Sequence, residues 1–113
     1  MVQVVTAPEF DEWFADLPKD QVKAVARYVL LLEQHGVTLG HPYSSAIEGT
    51  SLALRELRVK HASSAIRVFY VFDPERRAVL LLGGDKSNDK RFYGRMIKKA
   101  EELYRRHLAS MRR

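Results

Sequence analysis

The chain contains no cysteine, which excludes disulfides, thiolate nucleophiles and cysteine-ligated metals and fits a reducing compartment, with the cytoplasm as the expected location. It has four prolines and six glycines among 113 residues, and no internal repeat, low-complexity tract or linker. The longest apolar run, around Tyr28–Leu32, is far too short to cross a bilayer. The opening "MVQVVTAPEFDEW" turns acidic at once and lacks the basic-then-apolar order of a signal peptide. Basic residues are scarce in one half only. Residues 1–50 hold three Lys/Arg against seven Asp/Glu, residues 51–113 sixteen against seven, for a formal charge of +5. That asymmetry points to a basic part facing an anion, whether nucleic acid, an acidic protein or a membrane surface, or else to a plain solvated basic surface. The length suits one domain, residues 1–113, with a core of its own.

What is present reads as an α+β pattern. Val2, Val4 and Val5 predict a short opening strand. Thr6 and Pro8, followed by Glu9, Asp11 and Glu12, predict a helix start. Phe10, Trp13 and Phe14 form that helix's apolar face before Leu17-Pro18 closes it. Asp20 is the expected cap of a second helix, in which Val22, Val25, Ala26, Val29, Leu30 and Leu32 follow helical spacing up to Gly36. Residues 37–51, "VTLGHPYSSAIEGTS", show no period and read as a loop. Three strands should follow with short links and so antiparallel pairing: Leu52–Lys60, Ala65–Phe72 and Ala78–Gly83, the last buried on both sides. A basic amphipathic helix is expected from about Lys90 to Ser110.

The strand faces raise a question of chemistry. By period-two arithmetic Ile66, Val68, Tyr70 and Phe72 share a core face with Leu57 and Val59. The opposite face then carries Glu56, Arg58 and Arg67, and Arg55 falls on the core side at the sheet margin. Such a cluster is either a set of cross-strand ion pairs that solubilise the sheet or a floor for a phosphate, to which Lys86 at the end of the last strand would add charge.

The motifs "LRELRVK", then "IRVFYVFDPERRAVLLLGGDK", then "DKRFY", preceded by "APEFDEWFADLP", "LGHPY" and "IEGT", resemble the HigB-like branch of the RelE/ParE toxin superfamily, often described as phage-derived addiction-module killer proteins. The likeness runs from about Val2 to His107. It implies an α+β fold with an N-terminal helical hairpin on a small twisted antiparallel sheet and a C-terminal helix. It further implies the toxin of a type II toxin–antitoxin system, neutralised by a helix-turn-helix (HigA-like) antitoxin. RelE and HigB relatives cut mRNA on the ribosome without a metal or other cofactor, whereas ParE relatives poison DNA gyrase. A non-enzymatic gyrase poison, or a degenerate toxin that retains only antitoxin binding, is therefore the alternative.

Carried onto this chain, the resemblance implies that Arg67 contacts the scissile phosphate, that Arg58 shares the task, and that Lys86 supplies the basic residue beyond the last strand. Tyr93 stands where relatives place a residue that stacks on a base or protonates the leaving group. Arg55, Lys60, Lys90, Arg91 and Arg95 are the basic residues expected to hold RNA around this centre. RelE carries lysines at the strand positions occupied here by Leu54 and Glu56, so Glu56 is either the replacement base or an ion-pair partner of Arg58. The histidines, His35, His41, His61 and His107, show no metal-ligand spacing. His61, in the expected turn near the cluster, is a candidate proton donor.

Overall fold

The computed structural model describes residues 1–112. Strand β1 (Val4–Thr6) leads into helix α1 (Pro8–Ala15). Pro8 sits at the first helical position, where a missing N–H costs nothing, and Glu9 and Asp11 favour the positive end of the dipole. Helix α2 spans Lys19–His35 and ends at Gly36, whose positive φ of 55° reverses the chain. Its capping position is Pro18, which offers no side-chain hydrogen bond. Asp20 is therefore not the cap. It lies inside the first turn and pairs with His61 at 2.7 Å.

Four further strands complete the sheet: β2 (Ser44–Ala46), β3 (Arg55–His61), β4 (Ser64–Phe72) and β5 (Ala78–Asp85). The order is β1-β5-β4-β3-β2, with β1 parallel to β5 and the other pairs antiparallel. Helix α3 (Phe92–Ser110) follows. The expectation of a loop over residues 37–51 is corrected by β2. Three small residues are too few to show a period, and the strand exists because β3 offers partners: Arg58 N–H donates to Tyr43 C=O (2.8 Å) and Ile47 N–H to Leu54 C=O (3.0 Å). β3 starts at Arg55 rather than Leu52, and α3 at Phe92 rather than Lys90.

The sheet is covered on both faces. Leu57, Val59, Ile66, Val68, Tyr70, Ala78 and Leu80 pack under Phe10, Val25 and Leu32 of α1 and α2. The other parity, Leu54, Phe69, Val71, Val79, Leu81 and Leu82, packs under Phe92, Met96, Ala100 and Leu103 of α3. A register shift explains why Leu81 and Leu82 share this core: Phe69 opposes Leu82 but Tyr70 opposes Leu80, so Leu81 has no partner on β4 and the alternation resets. Glu56, Arg58 and Arg67 thus lie on the parity that the sequence predicts, but that face holds a second apolar core beside them.

Gly83 and Gly84 let both layers approach the end of β5. A Cβ on Gly83 would overlap the Trp13 ring, and one on Gly84 would fall 2.9 Å from Phe92. Gly83→Ala is expected to lower stability by about 1–3 kcal/mol through overpacking, which a urea titration monitored by Trp13 fluorescence would read.

Candidate functional site

β3 and β4 present the central residues side by side, because Arg58 and Arg67 are direct cross-strand partners. Glu56, two residues before Arg58 on the same face, lies between them and α3. Its carboxylate is the hub. Oε1 accepts the Tyr93 hydroxyl at 2.7 Å and lies 3.5 Å from Arg67 Nε. Oε2 accepts Ser45 Oγ at 3.2 Å and Arg58 Nη1 at 3.3 Å. The side chains of Glu56 and Arg67 are only 6% and 4% exposed, while that of Arg58 is 29% exposed. An opposite charge is what makes burial of a guanidinium tolerable. Arg67 Nη1 donates to Ile66 C=O at 3.0 Å, and Nε–H is buried without a hydrogen-bond acceptor despite the nearby carboxylate.

Tyr93 enters from the first turn of α3, its ring 6.1 Å from Phe69 and 5.2 Å from Phe92. Burial raises the pKa of its phenol, and the Glu56 hydrogen bond and charge raise it further, against a smaller opposing effect from Arg67. The hydroxyl therefore keeps its proton at neutral pH. Lys86, just past β5, places Nζ 5.7 Å from the Tyr93 ring centroid, a cation–π contact. Burial pushes Asp85 upward, but hydrogen bonds from Ser87 and Ala65 and the Arg67 charge hold it below the usual carboxylate value. An open cleft of about 400 Å³ is lined by Glu56, Arg58 and Tyr93 together with His41, Ser45 and Glu48. Ser45 belongs to the strand that the sequence does not announce. Among the described residues, no three His, Asp or Glu side chains converge on a point that could hold a metal.

The structure brings together Glu56, Arg58, Arg67, Lys86 and Tyr93. It separates Arg55 and His61 from them. Arg55 is on the α1–α2 face, where it donates to Ser44 Oγ, Tyr70 Oη and Leu39 C=O. His61, the last residue of β3, shares that parity and meets Asp20. Arg55 thus lies on the face that its parity predicts, and His61, expected in a turn near the cluster, ends β3 on that same face. Lys60 has the same parity as Arg58 and is exposed at the far end of β3. Lys90, Arg91 and Arg95, with Gly94 and Lys98, line an open depression of about 750 Å³. Arg95 there is paired with Asp89 at 2.8 Å.

The family model "Phage derived protein Gp49-like (DUF891)" matches residues 12–105. The chain belongs to the Gp49-like family. This Gp49-like chain is 39% identical over 109 residues to the proposed toxin HigB3 of Mycobacterium tuberculosis, covering 95% of the chain and 94% of that relative. It is 31% identical over 100 residues to a second proposed toxin of that organism, HigB2, covering 86% of the chain but 50% of the relative. Among solved structures it is similar to RelE in the RelE–RelB complex from Pyrococcus horikoshii, with TM-score 0.60, 18% identity and coverage of 77% and 97% of the two chains. It is also similar to the YoeB dimer from Staphylococcus aureus, with TM-score 0.55, 16% identity and coverage of 72% and 92%. The Gp49-like chain thus has a RelE/YoeB-like fold.

Proposed function

We propose that this chain is the toxin of a toxin–antitoxin pair and that it cuts mRNA on the ribosome. The near full-length likeness to HigB3, a proposed toxin, supports the first part. One observation carries the second: a buried carboxylate, Glu56, touches two arginines and a tyrosine at the side of an open cleft.

These residue types suit metal-independent cleavage of an RNA strand. Glu56 takes the proton of a ribose 2′-hydroxyl, and that oxygen attacks the adjacent phosphorus. Arg67 and Arg58 neutralise the non-bridging oxygens as the crowded phosphorane forms, a task for which the planar, permanently charged guanidinium is well suited. The bond from phosphorus to the 5′-oxygen breaks, and the leaving oxygen receives a proton. Tyr93 is the donor within this site, since its phenol is protonated at neutral pH, and Lys86 adds positive charge beside it. The products are a 2′,3′-cyclic phosphate and a 5′-hydroxyl. Lys60, Lys90, Arg91 and Arg95 hold the flanking RNA electrostatically. The partner is a helix-turn-helix, HigA-like antitoxin, and action on the ribosome places the protein in the cytoplasm.

A different observation favours a second reading. Glu56 already accepts three hydrogen bonds and pairs with Arg67, as in a purely structural ion-pair network, and a ParE-like gyrase poison or a degenerate toxin that only binds its antitoxin would need no more. Primer extension on cellular mRNA after induction separates the readings. Discrete new 5′ ends within coding regions, suppressed by co-expression of the antitoxin, are the expected result. Intact mRNA with induced DNA damage would instead establish the gyrase reading.

A further inference from the structure

The polar cluster on the opposite face of the sheet has no part in the chemistry above, yet it is better built than a solvated margin. Ser44 and Tyr70 are fully buried. Their hydroxyls lie 2.5 Å apart, and Arg55 donates to Ser44 Oγ from both Nε (3.3 Å) and Nη2 (3.1 Å). Nε also reaches Tyr70 Oη and Nη2 reaches Leu39 C=O, each at 3.3 Å. The cluster therefore ties β2 to β3, β4 and the segment after α2.

β2 needs that tie. It is a three-residue edge strand with one neighbour, β3, and a strand so short fixes its register poorly by backbone pairing alone. Register matters because Ser45 opposes Glu56 directly. A slip by one residue would turn the Ser45 side chain to the other face and set Ser44 or Ala46 against the carboxylate. Successive strand residues point to opposite faces, so Ser44 inside the cluster guarantees Ser45 on the cleft side.

An ionised carboxylate offers about four acceptor positions. Here Tyr93 and Arg67 approach Oε1, and Arg58 and Ser45 approach Oε2. Ser45 is a neutral donor from β2, on the other side of Glu56 from Arg67 on β4. It holds Oε2 from the β2 side while Arg67 draws Oε1 from the β4 side. We propose that Ser45 is a positioning residue for Glu56, and that the Arg55–Ser44–Tyr70 cluster acts through it by fixing the register of β2. The inference rests on the ribonuclease reading for its catalytic meaning.

The test is cleavage of a defined mRNA in a purified translation system, with thermal melts to check folding. Ser45→Ala is expected to lower kcat roughly tenfold, as displacement of a reacting group does, with KM within about twofold of the parent. Ser45→Thr, which keeps the hydroxyl, should restore kcat. Ser44→Ala removes the centre of the cluster and should lower kcat in the same way, and the Ser44→Ala/Ser45→Ala double variant should be no slower than Ser45→Ala alone. Additive losses would overturn the claim that the cluster works through Ser45, and a parental kcat in Ser45→Ala would overturn the positioning role. The Ile47 and Arg58 amides, which tie β2 to β3, should exchange faster with deuterium in Ser44→Ala. Unchanged protection would refute the register role whatever the activity. If the parent protein cut no mRNA, the ribonuclease reading would fall instead, an outcome distinct from an active parent with an unimpaired Ser45→Ala.

Discussion

Arg67→Ala is expected to reduce mRNA cleavage by about 10²–10³-fold, the scale set by removing one charged or hydrogen-bonding group that stabilises a transition-state anion. Loss of growth arrest on induction is the cellular readout. Arg67 is almost fully buried against Glu56, so the substitution also leaves a buried carboxylate short of one partner, and stability should fall. A second variant separates the two effects. In Glu56→Ala/Arg67→Ala no charge is stranded, and thermal stability should recover much of the loss while cleavage stays absent. If the single variant cut mRNA at the parental rate, Arg67 would have no role on the phosphate. Arg67→Lys should also be poor, because an ammonium cannot reproduce the two-sided grip of the guanidinium.

The second large effect concerns stability. Asp73 has a fully buried carboxylate at the β4–β5 turn. Its Oδ1 accepts the Glu75 and Arg77 backbone N–H groups at 2.9 and 3.0 Å. Its Oδ2 accepts Arg77 Nε and His107 Nε2, each at 2.9 Å. The turn is thereby fastened to the end of α3. Asp73→Ala should cost about 2–4 kcal/mol, less than a fully buried pair because Arg77 and His107 are partly exposed. In a domain of this size that lowers Tm by about 10 °C or more.

The same carboxylate predicts acid sensitivity. Burial raises its pKa, but the bonds from His107 and Arg77 together with the Arg77 charge outweigh burial and hold it below the ordinary aspartate value. A group depressed in the folded state stabilises above its unfolded pKa, near pH 4. That contribution is lost as pH falls through the folded value. Chemical denaturation at pH 6 and pH 3 should therefore show a larger loss in the parent protein than in Asp73→Ala, and an equal loss would refute the linkage.

Much of this was legible in the chain. Period two on two adjacent strands was enough to put Glu56, Arg58 and Arg67 on one parity and Leu57, Val59, Ile66 and Val68 on the other. The amphipathic pattern of α2 and α3 and the turn at Asp73–Arg77 were equally plain. Burial of Arg67 was not. Alternation says which face a residue takes, but not which part of that face a distant helix will cover, and here α3 covers it from about 25 residues away. The leucine pair Leu81–Leu82 was ambiguous for a similar reason, since a bulge breaks the parity without a residue that marks it. β2 was missed because "SSA" has neither length nor apolar alternation, and what makes it a strand is the ladder to β3 and the polar cluster behind it. Ser45 was missed with it. The position of Arg55 on the other face followed from the arithmetic, and what the alternation left out was the pair of hydroxyls waiting there.

The two helical layers also differ in sign. From Glu9 to Glu33, across α1 and α2, six acidic residues face three basic ones, whereas α3 carries five basic and two acidic. These layers lie on opposite faces of the sheet, so the helical charge of the molecule is negative on one face and positive on the other. In the field of a polyanion such a body is turned before it touches, with α3 leading and α1–α2 trailing, within a range set by a Debye length of about 8 Å at physiological salt. Which side of one sheet each helix covers thus sets the face that a polyanion would attract.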